Sequence, residues 1–214
     1  MIGKDDALRL LGKVIGISCS EQAEAALTVE NLQVTRWNDN FVHQNLSRRD
    51  TVLHVRIVEG KRTGSASTSK LDETAIHTAV EAAKRNAMLV PPNPDFKSLP
   101  APTPFAAVNS VVGATAQYSA AERADGAGVA IATAEKKGLT SSGAFSTQMN
   151  EFAVVNSLGV QAYNAGTVAL YRTIINNGDL TGYADRLSRD ARDLSFAEIV
   201  DEALLKATLK QSSA

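Results

Sequence analysis

The chain has 214 residues, of which 44% are hydrophobic and 21% are charged, and its formal net charge is −1. These fractions are ordinary for a globular protein, and this length can bury the core of one large domain or two small ones. The balance of 22 basic against 23 acidic residues argues against nucleic acid or an anionic membrane as a partner, because both demand a concentrated excess of Lys and Arg.

The cysteine content and the N-terminal pattern predict a cytoplasmic protein. Cys19 is the single cysteine, so no internal disulfide can form, which fits a reducing compartment. Asp5 and Asp6 lie inside a helical pattern near the N-terminus, which is foreign to a signal peptide. No apolar run approaches the roughly 18 to 20 residues that a bilayer span requires, so we expect no membrane partner.

The first half of the chain reads as a helix, several strands and a second helix. Asp5 can cap the first helix, and Asp72 can open the second, whose Ala and Ile residues form one stripe. Gly60 is predicted in a turn, and Trp37 and Phe41 are predicted in the core of this half. The patterns predict strands at 32–37, 41–46, 51–57 and 62–68, with a polar turn at 47–50.

A proline-rich segment follows. All six prolines of the chain fall within this one window, and residues 91–104 are predicted to be a connector. Proline removes a backbone donor and fixes φ, so the pattern indicates an extended surface segment rather than a helix or a strand.

The second half repeats the order of the first. Ser119 and Glu122 have the spacing of a capping box, and Ser195 with Glu198 has the same spacing before a last helix. Gly159 is predicted at positive φ in one turn, and Gly178 is predicted in another turn. The patterns predict strands at 139–147, 151–155, 160–175 and 180–183.

The two halves therefore read as pseudo-repeated α-β-β-β-α units, at about residues 5–90 and 115–210. Gly60 and Gly64 have the same spacing as Gly178 and Gly182, at an offset of 118. Gly64 and Gly182 are interpreted as sites of close backbone packing, and a match of Phe41 with Phe152 would give a different offset of 111. The prediction is an α+β fold with antiparallel sheet and helices on one face. Sparse identity between the halves leaves a chance match open.

No motif satisfies the requirements of a known catalytic or metal site. The segment Gly60-Lys61 lacks the other residues of a P-loop. Ser67 and Lys70 fit S-x-x-K, but the further elements of a serine acylase are missing. His77 and Glu81 stand four apart on a predicted helix, yet two ligands do not make a metal site. We predict no catalytic residue and no metal ligand in this chain.

Three segments of the first half resemble the N-terminal domain of the TldD/PmbA proteins, also described as peptidase U62 or modulators of DNA gyrase. They are TRWNDNFVHQN, DTVLHVRIVEGKRTGSAST and LDETAIHTAVEAA, between Thr35 and Ala83. The second half adds FAVV with the turn NSLG, and a strand that leads to NNGDLTGY. The resemblance covers roughly residues 5 to 210.

The resemblance implies a role in proteolysis. Members of the family pair a TldD-type subunit, which carries zinc, with a PmbA-type (TldE) subunit, which lacks it. The pair cleaves unfolded peptides, matures some ribosomally made peptides and degrades certain antitoxins. The zinc ligands, an H-E-x-x-x-H motif and a later cysteine, lie in a C-terminal domain. We therefore expect zinc only in such a domain, which residues 1–214 do not include, and no ligand is carried over to this chain.

The leading hypothesis is a non-catalytic N-terminal domain that shapes the peptide-admitting cleft and contacts a partner subunit in a homo- or heterodimer. Unfolded peptide can pair with an exposed strand edge, and the candidate strand contains Val160, Ala162, Leu170 and Arg172. A self-standing binding or assembly module without peptidase activity is the alternative, and a serine hydrolase that uses Ser67 and Lys70 is a third hypothesis. The sequence leaves open whether the parent protein is of the zinc-bearing or the zinc-free type.

Overall fold

The computed structural model describes residues 1–104, 106, 108 and 110–209. The helices are α1 (Lys4–Ser18), α2 (Glu73–Leu89), α3 (Gly113–Ala116), α4 (Ala120–Glu135) and α5 (Phe196–Thr208), with a short 3₁₀ helix at Ala191–Asp193. The strands are β1 (Gln22–Asn38), β2 (Phe41–Glu59), β3 (Arg62–Thr68), β4 (Thr140–Asn156), β5 (Gln161–Asn177) and β6 (Leu180–Ser188). They form an antiparallel sheet in the order β3-β2-β1-β4-β5-β6, which confirms the predicted α+β fold.

The strands of the two halves are related by one offset. Adding 118 to the residue numbers at both ends of β1 gives both ends of β4, and the same step takes the end of β2 to the end of β5. The offset of 111 between Phe41 and Phe152 is therefore wrong, because Phe41 corresponds to Gly159. β1 and β4 have the same length, whereas β5 begins two residues later and β6 ends two residues later than the offset from β2 and β3 gives.

The central strands are longer than their patterns predict. β1 begins at Gln22 rather than Leu32, β2 runs through the predicted turn at 47–50, and β4 joins two predicted strands. The signal in β1 was alternation, since Ala23, Ala25, Leu27 and Val29 are buried between more exposed neighbours. Alanine has a low strand propensity, so a prediction that rests on propensity misses the start of β1.

The chain divides into two compact units. The boundaries between them fall inside the long strands, so that each long strand contributes residues to both units. Unit 1 contains the described parts of residues 1–30, 49–109 and 150–165, and unit 2 contains those of residues 31–48, 110–149 and 166–214. Each unit thus combines the helices of one repeat with the hairpin tip of the other repeat.

Unit 1 has an aliphatic core. Leu11 and Val14 of α1 and Val80 of α2 are completely buried with Leu53 and Ile57 of β2. Because these helices supply apolar side chains to one side of the strands only, the opposite face of the unit 1 strands is left for other contacts.

Unit 2 has an aromatic core. Tyr171 lies 5.5 Å from Trp37, 5.6 Å from Phe145 and 4.9 Å from Phe196 between ring centroids. Its hydroxyl donates a hydrogen bond to the carbonyl oxygen of Gly126 at 3.0 Å, and burial raises the pKa of this phenol. Trp37 is buried as expected, although in the unit built on the second-half helices.

Phe41 does not join this core. Its side chain is 69% exposed at the start of β2, so the prediction of a buried Phe41 is wrong. The ring follows the turn at Asp39-Asn40 and lies beyond the part of β2 that packs beneath helices.

Most helix ends follow their local signals. Oδ1 of Asp72 accepts the N–H of Ala75 at 2.9 Å, and the capping box of Ser119 with Glu122 is formed. Two expected caps are wrong: Gly3 precedes α1, which places Asp5 in the first turn, and the hydroxyl of Ser195 makes no capping hydrogen bond.

Glycines occupy the turns and two strand–helix contacts. Gly60, Gly159 and Gly178 have φ of 53°, 98° and 61°, which other residues rarely adopt. A Cβ on Gly64 would overlap the backbone of α2 at Ala83 O and Ala87 N, and a Cβ on Gly182 would overlap the backbone of α5 at Ala203 O and Ala207 N. The two contacts are equivalent in the repeat.

We expect Gly64→Ala and Gly182→Ala each to lower the free energy of unfolding by about 1–3 kcal/mol, because the helix must move away from its strand. Urea denaturation measures the change. Gly12→Ala in α1 is the matched control, since a Cβ there meets no atom within 4 Å, and we expect it to stabilise by about 0.5–1 kcal/mol. Equal stability of Gly64→Ala and Gly12→Ala would contradict the packing argument.

Candidate functional site

The predicted peptide-binding strand is β5, which lies inside the sheet rather than at its edge. β6 pairs with residues 169–177 of β5 and places Leu187 opposite Leu170 and Asp185 opposite Arg172. Because β6 already pairs with this part of β5, a peptide cannot pair with the main chain at Leu170 and Arg172. The structure thus differs from the prediction of an exposed strand edge. Val160 precedes β5, and its N–H donates to Oδ1 of Asn156 at 2.9 Å.

The first part of β5 is only partly free. Ala162 lies before the residues that pair with β6, but Gly166 forms a parallel bridge with Ser110, and the N–H of Thr167 donates to the carbonyl oxygen of Ser110 at 3.0 Å. The chain that follows the proline-rich segment thus occupies the edge beside Gly166.

The side chains of Leu170 and Arg172 lie on an open face of unit 2. Gly182 of β6 faces α5, so the alternate residues Tyr183 and Leu187 point away from the helix. Residues directly opposite in an antiparallel pair share a face, which places Leu170 beside Leu187 and Arg172 beside Asp185. Leu187 is 66% exposed and Tyr183 is 47% exposed. This pairing puts apolar side chains on both sides of a charged pair.

Tyr183 and Asp185 influence each other on this open face. Desolvation, followed by the negative charge of Asp185, raises the pKa of the Tyr183 phenol. The phenol is therefore neutral over the physiological range and can donate a hydrogen bond.

On unit 1 the proline-rich segment forms a strap, residues 93–102, that is fixed to the strands. The N–H of Asn93 donates to the carbonyl oxygen of Lys61 at 2.8 Å, and Nζ of Lys61 donates to the carbonyl oxygen of Pro94 at 2.9 Å. The guanidinium of Arg56 lies 6.0 Å from the ring centroid of Phe96, which is a cation–π contact. The predicted connector turns at residues 93–96, where the N–H of Phe96 donates to the carbonyl oxygen of Asn93 at 3.2 Å, and it is closely anchored rather than uniformly extended.

The second part of the strap is held by side-chain amides. Oε1 of Gln22 accepts the N–H of Leu99 at 2.8 Å, and Nδ2 of Asn156 donates to the carbonyl oxygen of Pro100 at 2.8 Å. Leu99 is 3% exposed, so the strap contributes to the core of unit 1. These contacts recognise main-chain groups of an extended segment.

The side chain of Asn156 stabilises both the β4–β5 turn and the strap. Its Oδ1 accepts the N–H groups of Leu158 and Val160 at 3.0 and 2.9 Å and thereby shapes the β4–β5 turn, while its Nδ2 holds the strap. An amide side chain offers an acceptor and a donor together, which a carboxylate does not.

The repeat places Asn38 in unit 2 where Asn156 lies in unit 1. Nδ2 of Asn38 donates to Oδ2 of Asp39 at 3.0 Å, and Oδ1 accepts the hydroxyl of Ser142 at 2.7 Å. An open depression of about 690 Å³ surrounds it, lined by Arg36, Trp37, Asn38, Asp39, Phe41, His43 and Gly143. Unit 2 therefore has a concave surface at the position equivalent to the strap anchor.

Sequence reasoning missed both asparagines. Their signal was the shared offset of 118 between WNDN at Asn38 and VVNS at Asn156, which the match of Phe41 with Phe152 obscured.

Two buried ionisable side chains serve the framework. Arg123 of α4 is 2% exposed and donates from Nη1 to Oε1 of Gln33 at 2.8 Å, and its burial lowers the pKa of the guanidinium. Glu151 is 3% exposed, and its carboxylate accepts the N–H groups of Ile2 and Gly3 ahead of α1. Both side chains tie a helix to a strand.

The catalytic alternatives receive no geometric support. In the part of the chain that the structure describes, no hydrogen bond joins Ser67 to Lys70, and Ser67 lies opposite His54 on exposed strand positions. His77 lies 4.0 Å from Glu73, whereas Glu81 pairs with Lys84 at 3.0 Å.

A zinc site does not fit the described residues. Among residues 1–104, 106, 108 and 110–209, no three His, Cys, Asp or Glu side chains converge as a metal would require. Cys19 is exposed, with φ of 44°. Over the same residues, no helix has the length and apolar character of a bilayer span.

The sequence is similar to one protein family. Residues 23–87 match the sequence model of the PmbA/TldA metallopeptidase domain 1, which covers β1, β2, β3 and most of α2. No curated protein gives a significant match. The predicted resemblance to the N-terminal domain of the TldD/PmbA proteins is thus confirmed.

Several solved structures share the fold. TldE from Thermococcus kodakarensis superposes with a TM-score of 0.84 at 20% identity, over 92% of this chain and 47% of that chain. Proteins named as candidate modulators of DNA gyrase, from Thermotoga maritima and Bacteroides thetaiotaomicron, give TM-scores of 0.79 and 0.78 at 15% and 14% identity. These superpositions cover 93% and 97% of this chain and 47% and 50% of theirs. The chain spans about half the length of these proteins.

We expect Asn156→Asp to increase trypsin cleavage after Lys97 about fivefold, because the variant keeps the turn acceptor but loses the donor to Pro100, a contact worth about 1 kcal/mol. Gel or mass-spectrometric time courses measure the rate. Asn164→Ala, at an exposed position of β5 in unit 1, is the control and should leave the rate unchanged. Equal rates for both variants would show that Asn156 does not hold the strap.

Proposed function

We propose, on the premise that this chain carries the first domain of a TldD/PmbA-type protein, that it is the non-catalytic N-terminal part of a zinc metallopeptidase system that acts on unfolded peptides. The single observation that carries the proposal is the match of residues 23–87 to the PmbA/TldA metallopeptidase domain 1. In this proposal the zinc ligands belong to a C-terminal domain of a TldD-type subunit, and the system works in the cytoplasm on peptide maturation or antitoxin degradation.

The strap supports a role in admitting peptide. The strap lies against unit 1 and is held through its main chain, by Gln22 at one N–H group and by Asn156 at one carbonyl group. Contacts of this kind do not depend on the side chains of the bound segment. A cleft that accepts unfolded peptides of many sequences needs this property.

The open face of unit 2 supports a role in subunit contact. Leu187 and Tyr183 are exposed apolar side chains beside the pair of Arg172 and Asp185. Exposed apolar groups with opposite charges among them are typical of interfaces, where burial supplies affinity and the charges orient the partner.

We expect the purified chain alone to bind no stoichiometric zinc and to leave an unfolded polypeptide such as reduced, carboxymethylated lactalbumin intact. Addition of a TldD-type subunit from the same organism should give a complex on size-exclusion chromatography and zinc-dependent cleavage. Metal analysis and peptide mass spectrometry measure both results. The control is the TldD-type subunit with its H-E-x-x-x-H glutamate replaced by glutamine, which should form the complex without cleavage.

Two results would contradict the proposal. Cleavage by the chain alone with bound zinc would place catalysis within it. Failure of the chain to associate with the TldD-type subunit, or to alter its cleavage, would favour the self-standing binding module.

A further inference from the structure

We propose that the depression around Asn38 and Phe41 in unit 2 binds an extended polypeptide segment, in the way that unit 1 holds residues 99–102 of the strap. The occupant is a segment with a main-chain carbonyl for Asn38, an apolar or proline residue for Phe41, and a carboxylate for Arg36. This inference extends the proposed function by assigning a peptide-binding surface to the chain, and it requires neither zinc nor a partner subunit.

The first argument is the equivalence of the two strand ends. Asn38 and Asn156 end strands that are related by the offset of 118, and a residue of the turn that follows each is hydrogen-bonded to the start of a neighbouring strand. In unit 1 the N–H of Ser157 donates to the carbonyl oxygen of Ala23 at 2.8 Å, and in unit 2 the N–H of Asn40 donates to that of Ser141, the equivalent of Ala23, at 3.1 Å. The strand ends are therefore equivalent, whereas the turns differ: Asp39 and Asn40 form a two-residue turn with positive φ, and residues 157–160 form a longer turn with positive φ at Gly159.

The second argument is the donor that each asparagine presents. In unit 1, Nδ2 of Asn156 donates to Pro100 O of the strap. In unit 2, Nδ2 of Asn38 donates instead to the exposed side chain of Asp39. A hydrogen bond between adjacent exposed side chains has little net stability, because water replaces either partner. The amide can therefore turn to an incoming carbonyl group at low cost.

The third argument is the apolar contact beside the asparagine. A Cβ on Gly159 would lie 3.3 Å from Cγ of Pro102, so the strap passes close to this turn, two residues after the bound carbonyl of Pro100. The equivalent position in unit 2 is Phe41, whose ring is 69% exposed. A proline or another apolar residue at the same spacing from the bound carbonyl would cover this ring, which water now contacts.

The charges of the depression distinguish it from unit 1. Arg36 and His43 line it, whereas the equivalent residues in unit 1 are the uncharged Val154 and Gln161. Nη1 of Arg36 donates to the neutral amide oxygen of Gln44 at 3.1 Å, which leaves the positive charge without compensation from that partner. Charge complementarity therefore favours a segment that brings a carboxylate to Arg36.

The test uses the full chain, labelled with ¹⁵N, and a synthetic peptide NPDFKSLPAPTP that has the sequence of residues 93–104 and a free C-terminal carboxylate. We expect saturable changes in the amide shifts of residues 36–43 and Gly143. Changes at Gln22 and Asn156 instead would mean that the peptide replaces the strap on unit 1, and they would overturn the inference. Absence of saturable changes would also overturn it.

Variants test the individual contacts. We expect Phe41→Ser and Asn38→Ala each to weaken binding about fivefold, while Leu205→Ser, at a residue of α5 that is 60% exposed, leaves binding unchanged. The Phe41 ring is exposed, so we expect Phe41→Ser to fold normally. This variant therefore tests the inference even if Asn38→Ala unfolds because it loses the hydrogen bond with Ser142. Unchanged affinity for Phe41→Ser would overturn the proposed contact.

A second copy of the chain is the competing occupant. If the shifts of residues 36–43 change with protein concentration in the absence of peptide, and sedimentation shows a dimer that Phe41→Ser dissociates, the surface is a self-interface and the inference fails. Neither failure affects the cleavage experiment with the TldD-type subunit, which tests the proposed function separately.

Discussion

The close approach of a helix backbone to a strand backbone, at Gly64 in unit 1 and at Gly182 in unit 2, is the constraint on which each unit depends. The helix faces at these contacts are built from small residues, Ala83 and Ala87 on α2 and Ala203 and Ala207 on α5. A helix so close to a strand leaves room for larger side chains only farther along the sheet, where the aliphatic core of unit 1 and the aromatic core of unit 2 lie.

The arrangement of helices on one side of the strands leaves each unit with a second face, and the chain treats the two faces differently. Unit 1 covers its hairpin tip with the strap, which buries Leu99 and satisfies the amide of Asn156. At the equivalent tip of unit 2, the amide of Asn38 contacts only exposed or half-buried side chains, and Phe41 remains largely exposed. The internal repeat thus ends one strand in an asparagine that holds the strap and the equivalent strand in an asparagine that bonds to Asp39 and Ser142.

Among its described residues the chain offers contact surfaces rather than a cluster of metal-binding side chains. These surfaces present main-chain and side-chain amide groups, exposed apolar side chains and charged side chains.

The sequence by itself determined the features that depend on neighbouring residues: the caps at Asp72 and Ser119, the positive φ of the turn glycines, the α+β order of elements and the family resemblance. Only the tertiary structure decided the continuity of the long strands, because an Ala-rich strand such as the start of β1 is stabilised by partners across the sheet rather than by its own propensity. It also decided the roles of Trp37, Phe41 and Asn156. The contact of Asn156 with Pro100 joins residues 56 positions apart, and no local pattern encodes such a distance.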